Sequence, residues 1–362
     1  MNSAYQFIDI NKAGEGAVAI AFANQVAYCN AAEAPITARI CSAVGQLLQS
    51  NESGELLERI RRWPGAPLAD ALPLRVAGGI HALLLKGAEP ALKAIYGDQK
   101  GIDDAEIVAA AIARHEAELL PWLDGPPQTN EAGRSANFIA AMLWLAKQGL
   151  PPRFHCLEIG SSAGINLMLD RYHYDLGGVQ VGPEPGAMRF DPEWQGDPPP
   201  DMPIEIASTK GCDVAPVDLA DPEQALRLKA YIWPEHTVRF ERMAAAVAEA
   251  KHRPPDLVRM NAADFVEAEL AKPQAVGTTR LLMHSIVWQY VPDDQQARVT
   301  AAMEAAGARA SAERPLAWVA LEANRTAHVH EMTARYWPGG AESAVLTRAH
   351  PHGAWIKWFS PG

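Results

Sequence analysis

Three groups of residues carry types and spacings that can do chemistry. The first is Glu158, at the end of the apolar run that starts at Phe154, followed by Gly160, Ser161, Ser162 and Gly164. Glycine takes backbone angles closed to other residues, and small neighbours keep a loop thin, so a ligand can approach the main chain directly. The second group sits at the ends of later strand-like segments: Asp213 after Gly211 and Cys212, Asn261 with Ala262, and His284 with Ser285. A carboxylate at a strand end can accept from both ribose hydroxyls, and an imidazole there suits a general base. The third group is Gln128, Thr129, Asn130, Glu131 and Arg134, gathered just before the apolar stretch 138–145.

The glycine pattern differs from a dinucleotide fingerprint, which sets a pyrophosphate on a helix N-terminus. Glu158 would repel that group and suit a cation. With no Lys or Arg in the loop, a nucleotide or phosphosugar enzyme is disfavoured. Acid followed by glycines resembles the first motif of class I S-adenosylmethionine-dependent methyltransferases, whose ligand carries an ammonium and a sulfonium. The resemblance implies S-adenosylmethionine as cofactor. Glu158 then serves the methionine end, Gly160, Ser161, Ser162, Gly164 and Asn166 form the loop, and Asp213 holds the ribose, with Asp175 as its rival. Asn261 and Ala262 face the adenine, where such enzymes commonly carry Asp-Ala. His284 is the candidate base toward the methyl acceptor, and Gln128, Thr129, Asn130, Glu131 and Arg134 line an inner wall between domains.

Each assignment has a plainer counterpart. The glycines could make a turn without a ligand, and Asp213 could cap the next helix. Thr129 or Asn130 could cap a helix with Glu131 in its first turn. Glu131 and Arg134 could pair on a surface, and His284 could hold its own loop together.

These groups need an α/β scaffold. Apolar residues at three and four spacing predict helices at 38–48, 54–62, 79–85 and 103–120, with His81 and His115 as packing or surface residues. Residues 1–126 therefore read as a helical N-terminal domain. Residues 127–362 read as a Rossmann-like sheet with helices on both faces. Its strands are expected at 154–159, 204–208, 257–260, 279–283 and 317–322, with a closing hairpin of 344–348 and 354–358. The glycine loop is expected to open directly into a helix. The Pro- and Gly-rich stretch of about 172–200 reads as an inserted hairpin or lid.

Composition limits the partners. At 362 residues, 48% hydrophobic and 21% charged, the chain has the make-up of an ordinary globular protein. A net charge of -11 argues against a nucleic-acid backbone as partner. Cys29, Cys41, Cys156 and Cys212 are scattered, His350 and His352 lack a third ligand, and no metal is expected. The run 17–23 follows Asp9 and Glu15 without a basic leader and reads as an internal helix, so a cytoplasmic protein without membrane segments is expected. Oligomeric state is not legible.

Gln-Thr-Asn-Glu-x-x-Arg-Ser at 128–135, Glu-Ile-Gly-x-Ser-Ala-Gly-x-Asn-Leu at 158–167 and Asp-Arg-Tyr-x-Tyr-Asp at 170–175 occur in one chain. Gly-Cys-Asp-x-x-Pro-x-Asp follows at 211–218 and Pro-His-Gly-x-Trp at 351–355. The set resembles, over nearly the whole chain, the bacterial family known as domain of unknown function 2332. That likeness brings no established reaction. A methyltransferase with an unread acceptor is expected, and a non-catalytic sensor or interaction protein of the same fold is the alternative.

Overall fold

The computed structural model describes residues 13, 14 and 16–359; Asp9 and Glu15 lie outside the described residues. The apolar run is helical and longer than its sequence signal, as α1 (Ala17–Ala31). It is followed by α2 (Pro35–Gln49), α3 (Glu55–Arg61), α4 (Leu72–Lys86), α5 (Lys93–Tyr96) and α6 (Asp104–Leu119). Their ends follow local chemistry. Asp103 accepts from the amides of Ala105 and Glu106 at the start of α6, and Gly87 closes α4 in the left-handed region. Phe22, Ile40, Val44, Leu57, Ile80 and Val108 are buried together in one core.

The chain forms two compact units. One comprises Met1–Thr129 with Pro222–Glu241, the other Asn130–Asp221 with Arg242–Gly362. The return segment 222–241 buries Ala225, Leu228, Ala230, Tyr231 and Ile232, but nothing in its sequence announces where it packs. It brings the Ala230 carbonyl to His81, whose Nδ1–H donates to it at 3.0 Å. Burial, partly offset by that bond, lowers the His81 pKa to about 4. His81 is thus a core residue, stacked on Tyr96.

The second unit begins with α7 (Ser135–Lys147), buried from Ser135 through Ala146. Next come β1 (Arg153–Ile159), β2 (His173–Leu176), β3 (Val179–Val181), β4 (Arg189–Phe190), β5 (Glu193–Gln195) and β6 (Glu205–Asp213). After α8 (Pro222–Ala230) and α9 (Thr237–His252) the chain continues as β7 (Leu257–Arg259), α10 (Ala262–Leu270), β8 (Thr279–Ser285) and α11 (Asp293–Gly307). It ends with β9 (Leu316–Asn324), β10 (Val329–Trp337), β11 (Gly340–Ala349) and β12 (Trp355–Trp358).

Among the described residues nine strands form one sheet, ordered β5-β12-β11-β10-β9-β8-β1-β6-β7. From β7 to β9 all neighbours are parallel. From β9 to β12 they are antiparallel, and β5 joins the edge parallel to β12. Leu157, Ile159, Leu282 and Leu316 point from one face into Ala263, Phe265, Val299 and Met303 of α10 and α11. Burying such side chains contributes roughly 1.5–3 kcal/mol each. On the opposite face α7 packs across β9, β10 and β11, with the Thr347 hydroxyl donating to Asn137 Oδ1 at 3.0 Å. The molecule is therefore a mixed α/β protein with a large sheet flanked by helices. No helix among the described residues is long and apolar enough to cross a membrane.

Three local expectations are corrected. The glycine loop does not open into an α-helix: residues Asn166–Arg171 make a 3-10 turn. The Tyr172 hydroxyl donates to the Ile165 carbonyl and that of Tyr174 to the Leu169 carbonyl, occupying acceptors that helical amides would use. Second, 172–200 contains the expected hairpin, β2 with β3, but it is not a loose cover. Tyr172, Tyr174 and Phe190 are fully buried, and β5 is built into the main sheet. Third, β10 was not anticipated, although Met332, Ala334 and Tyr336 alternate with the polar Glu331, Thr333 and Arg335.

Candidate functional site

The parallel strands reverse their order about β1, with β6 on one side and β8 on the other. In open α/β sheets such a reversal opens a crevice beyond the carboxyl ends of the strands. Glu158, the glycine loop and Asp213 lie at this end. Residues 158–166 fold back on themselves: Ser161 N–H donates to the Cys212 carbonyl (3.0 Å), and its hydroxyl donates to the Glu158 carbonyl (3.0 Å).

Gly160 and Gly164 have φ of 67° and 71°, which explains glycine at both. A Cβ at Gly160 would lie 2.2 Å from Val287, and one at Gly164 would lie 2.8 Å from Pro255. The thinness of the loop thus admits protein neighbours on those sides. Ser162 also has a left-handed φ, 54°, uncommon for a residue with a side chain. It is held by its N–H to Asp213 Oδ2 (2.8 Å) and by Val217 N–H to its carbonyl (3.0 Å).

Glu158 is 1% exposed, and Oε1 accepts from Asn166 Nδ2 at 3.2 Å. Its Oε2, together with Asn166 Oδ1 and Ser162 Oγ, has no hydrogen-bond partner among the described residues. Burial raises the Glu158 pKa from 4.5 to about 7, opposed by the hydrogen bonds of Asn166 and Ser161 and by the charge of Arg134. A buried carboxyl poised near neutrality beside two orphaned polar atoms is suited to meeting a ligand cation.

The polar cluster before α7 meets this loop. Asn130 does not cap its own helix: Oδ1 accepts from the amides of Ala163 (3.2 Å) and Ile165 (3.1 Å). Glu131 accepts from Gly133 N–H at 3.1 Å and pairs with Arg242 at 3.2 Å. Arg134 is 6% exposed and donates to the carbonyls of Pro351 (2.9 Å) and Ser285 (3.4 Å). Glu131 and Arg134 are both buried, so neither belongs to a solvated surface face. Gly133 abuts Gly353, whose Cβ would lie 2.6 Å from the Gly133 backbone, so the first and last sequence motifs touch. Gln128 and Thr129 belong to the first unit.

Asp213 accepts one amide on each oxygen, Ser162 on Oδ2 and Ala215 on Oδ1 at 2.8 Å each, which leaves further lone-pair positions. Asp175 is taken up by the β2–β3 turn, accepting from Gly178 N–H and pairing with Arg189. Asn261 caps α10, with Oδ1 accepting from Asp264 N–H at 2.9 Å, and Ala262 is 8% exposed in the α10 core. Two residues that the sequence reading passed over flank this edge: Val214 is 68% and Met260 38% exposed. Large apolar side chains left in water directly after β6 and β7 were the available signal.

His284 stands apart from the loop cluster. Its Nδ1–H donates to Glu322 Oε1 at 2.7 Å, and its Nε2 accepts from Trp318 Nε1–H at 3.0 Å. The ring is 2% exposed and stacks on Trp288. Both nitrogens are engaged, so proton abstraction by His284 would require Trp318 to move. Glu322 and Trp318 lie 38 and 34 residues downstream, and an acid within the apolar strand 316–324 was their only sequence sign.

No curated protein and no solved structure matches the chain. One family model matches residues 19–358, that of the family described as "Uncharacterized protein conserved in bacteria (DUF2332)". A match spanning nearly the full length, including every motif segment that the fold brings together around β1, establishes that the chain belongs to this bacterial family.

Proposed function

We propose that the protein binds S-adenosylmethionine beyond the carboxyl ends of β1, β6 and β7 and acts as a methyltransferase on an acceptor still to be identified. The observation that carries this reading is Glu158, a buried carboxyl held near neutrality with one oxygen lacking a partner. Numbered by occurrence, the parallel strands run 3-2-1-4-5, an order that fits a Rossmann-like methyltransferase sheet. In this reading Glu158 faces the ligand ammonium, Ser162 and Asn166 supply further polar contacts, and Asp213 takes the ribose hydroxyls. Val214 and Met260 give apolar sides for the adenine beside Asn261 and Ala262. S-adenosylmethionine, when bound, supplies an electrophilic methyl on a sulfonium. The protein's part is to align donor and acceptor.

The engaged nitrogens of His284 and the capping role of Asn261 favour a second reading, a non-catalytic sensor for the same ligand. Calorimetric titration with S-adenosylmethionine and S-adenosylhomocysteine tests the common element. Binding that weakens about tenfold or more in Asp213→Ala supports the site. Methylated product from an acceptor screen then separates enzyme from sensor. Absence of binding to folded, ligand-free protein contradicts both.

A further inference from the structure

A cavity of about 400 Å³ opens on the α11 face of the sheet, on the side where Glu322, not Glu158, is the acid. The volume falls within the range of roughly 300–1,000 Å³ usual for small-molecule sites. On β9, Trp318, Ala320 and Glu322 alternate with the core residues Val319 and Leu321, so all three share the face that lines it. Trp288 lies across from them, edge to face with Trp318 at 5.6 Å between centroids. Thr300, Thr333 and Ser343 complete the wall, whose exposed surface is mostly carbon.

Two charged side chains line the cavity, Glu322 and Arg335. Glu322 Oε1 accepts three bonds, from His284 Nδ1–H, Val287 N–H and Trp288 N–H. These fix the side chain and leave Oε2 outside that set of bonds. The other charged lining residue, Arg335, lies over the Trp337 ring and pairs with Glu304 at 3.6 Å, which offsets part of its charge. A rigid carboxylate beside indole rings, in a largely apolar recess, matches a cation with an apolar body, because the ring faces and the carboxylate attract the same positive charge.

We propose that this cavity is a second ligand site, selective for small organic ammonium ions that carry an aryl or alkyl group. The proposal does not depend on the methyltransferase reading. Phenethylammonium is the probe, with 2-phenylethanol as its neutral counterpart and 3-phenylpropionate as the anion. Titration calorimetry is expected to show phenethylammonium binding about tenfold or more tightly than the alcohol, with the carboxylate weakest.

Glu322→Gln keeps an acceptor oxygen for the three donors and removes the charge, so it should lose the preference for the ammonium while still binding the alcohol. Ala320→Leu fills the recess and should weaken both ligands about tenfold or more. Because that variant leaves the His284–Glu322 contacts in place, it decides the matter even if Glu322→Gln does not fold. Equal binding of ammonium and alcohol, unchanged binding in a folded Ala320→Leu, or no binding of phenethylammonium at millimolar concentration would each overturn the proposal.

Discussion

Replacing Glu158 by glutamine removes the ionisation of one buried carboxyl while keeping an amide oxygen for Asn166. The folded-state pKa is about 7 against an ordinary value of 4.5, so the folded chain holds this proton more tightly than the unfolded chain does. The sign follows from linkage: wild-type stability falls as pH rises from 4.5 to 7, because the folded state must give up a proton it prefers to keep. A difference of about 2.5 pKa units corresponds to about 3 kcal/mol at pH 8, most of it accumulated between pH 5 and 7. Near pH 4 both side chains are neutral and differ little. Urea unfolding of wild type and Glu158→Gln at matched pH values isolates this group, since every other titration is shared. The variant should gain about 3 kcal/mol relative to wild type by pH 8. A stability difference that stays flat from pH 4.5 to 8 would refute the buried, proton-holding carboxyl.

Gly160→Ala places a Cβ 2.2 Å from Val287 at a positive φ and should destabilise by about 2–4 kcal/mol, with partial recovery in the double variant with Val287→Ala, read by thermal unfolding. Asn130→Ala strips the acceptor from the Ala163 and Ile165 amides and should lose about 2 kcal/mol, which Asn130→Asp restores in large part in the same assay. His81, held to about pKa 4 by burial, binds its proton more tightly when unfolded, so stability should fall as pH drops from 6.5 toward 4. The loss is about 3 kcal/mol by pH 4 and should vanish in His81→Gln, measured by urea unfolding.

What could be read in advance was whatever leaves a periodic or single-residue mark. The apolar runs of β1, β8 and β9 and the three-and-four spacing of α2, α3 and α6 are such marks, and those elements stand where expected within a few residues. Gly160 and Gly164 signalled a turn that needs positive φ, and it is there. The 3-10 turn at 166–171 was not legible, because Ile165, Leu167 and Met168 suit either helix. The choice was made by the hydroxyls of Tyr172 and Tyr174. Long-range partnerships were equally silent. Asn130 looks like a cap for the helix that follows it, yet its oxygen serves amides more than thirty residues away. His284 looks like a base at a strand end until Trp318 and Glu322 are seen on its two nitrogens. Side-chain pairing across a sheet depends on strand order, and strand order has no local signature.

The central claim is that Glu158 receives the ammonium of S-adenosylmethionine. Binding a cation there must lower the carboxyl pKa, so at pH 6.5, with a free-protein value of about 7, more than about half a proton should be released per ligand bound. Titration calorimetry of S-adenosylmethionine in two buffers of different ionisation enthalpy reads that number directly. The account predicts release of that size in wild type and close to zero in Glu158→Gln, whereas the same release in both proteins, or no binding at all to the folded wild type, would contradict it.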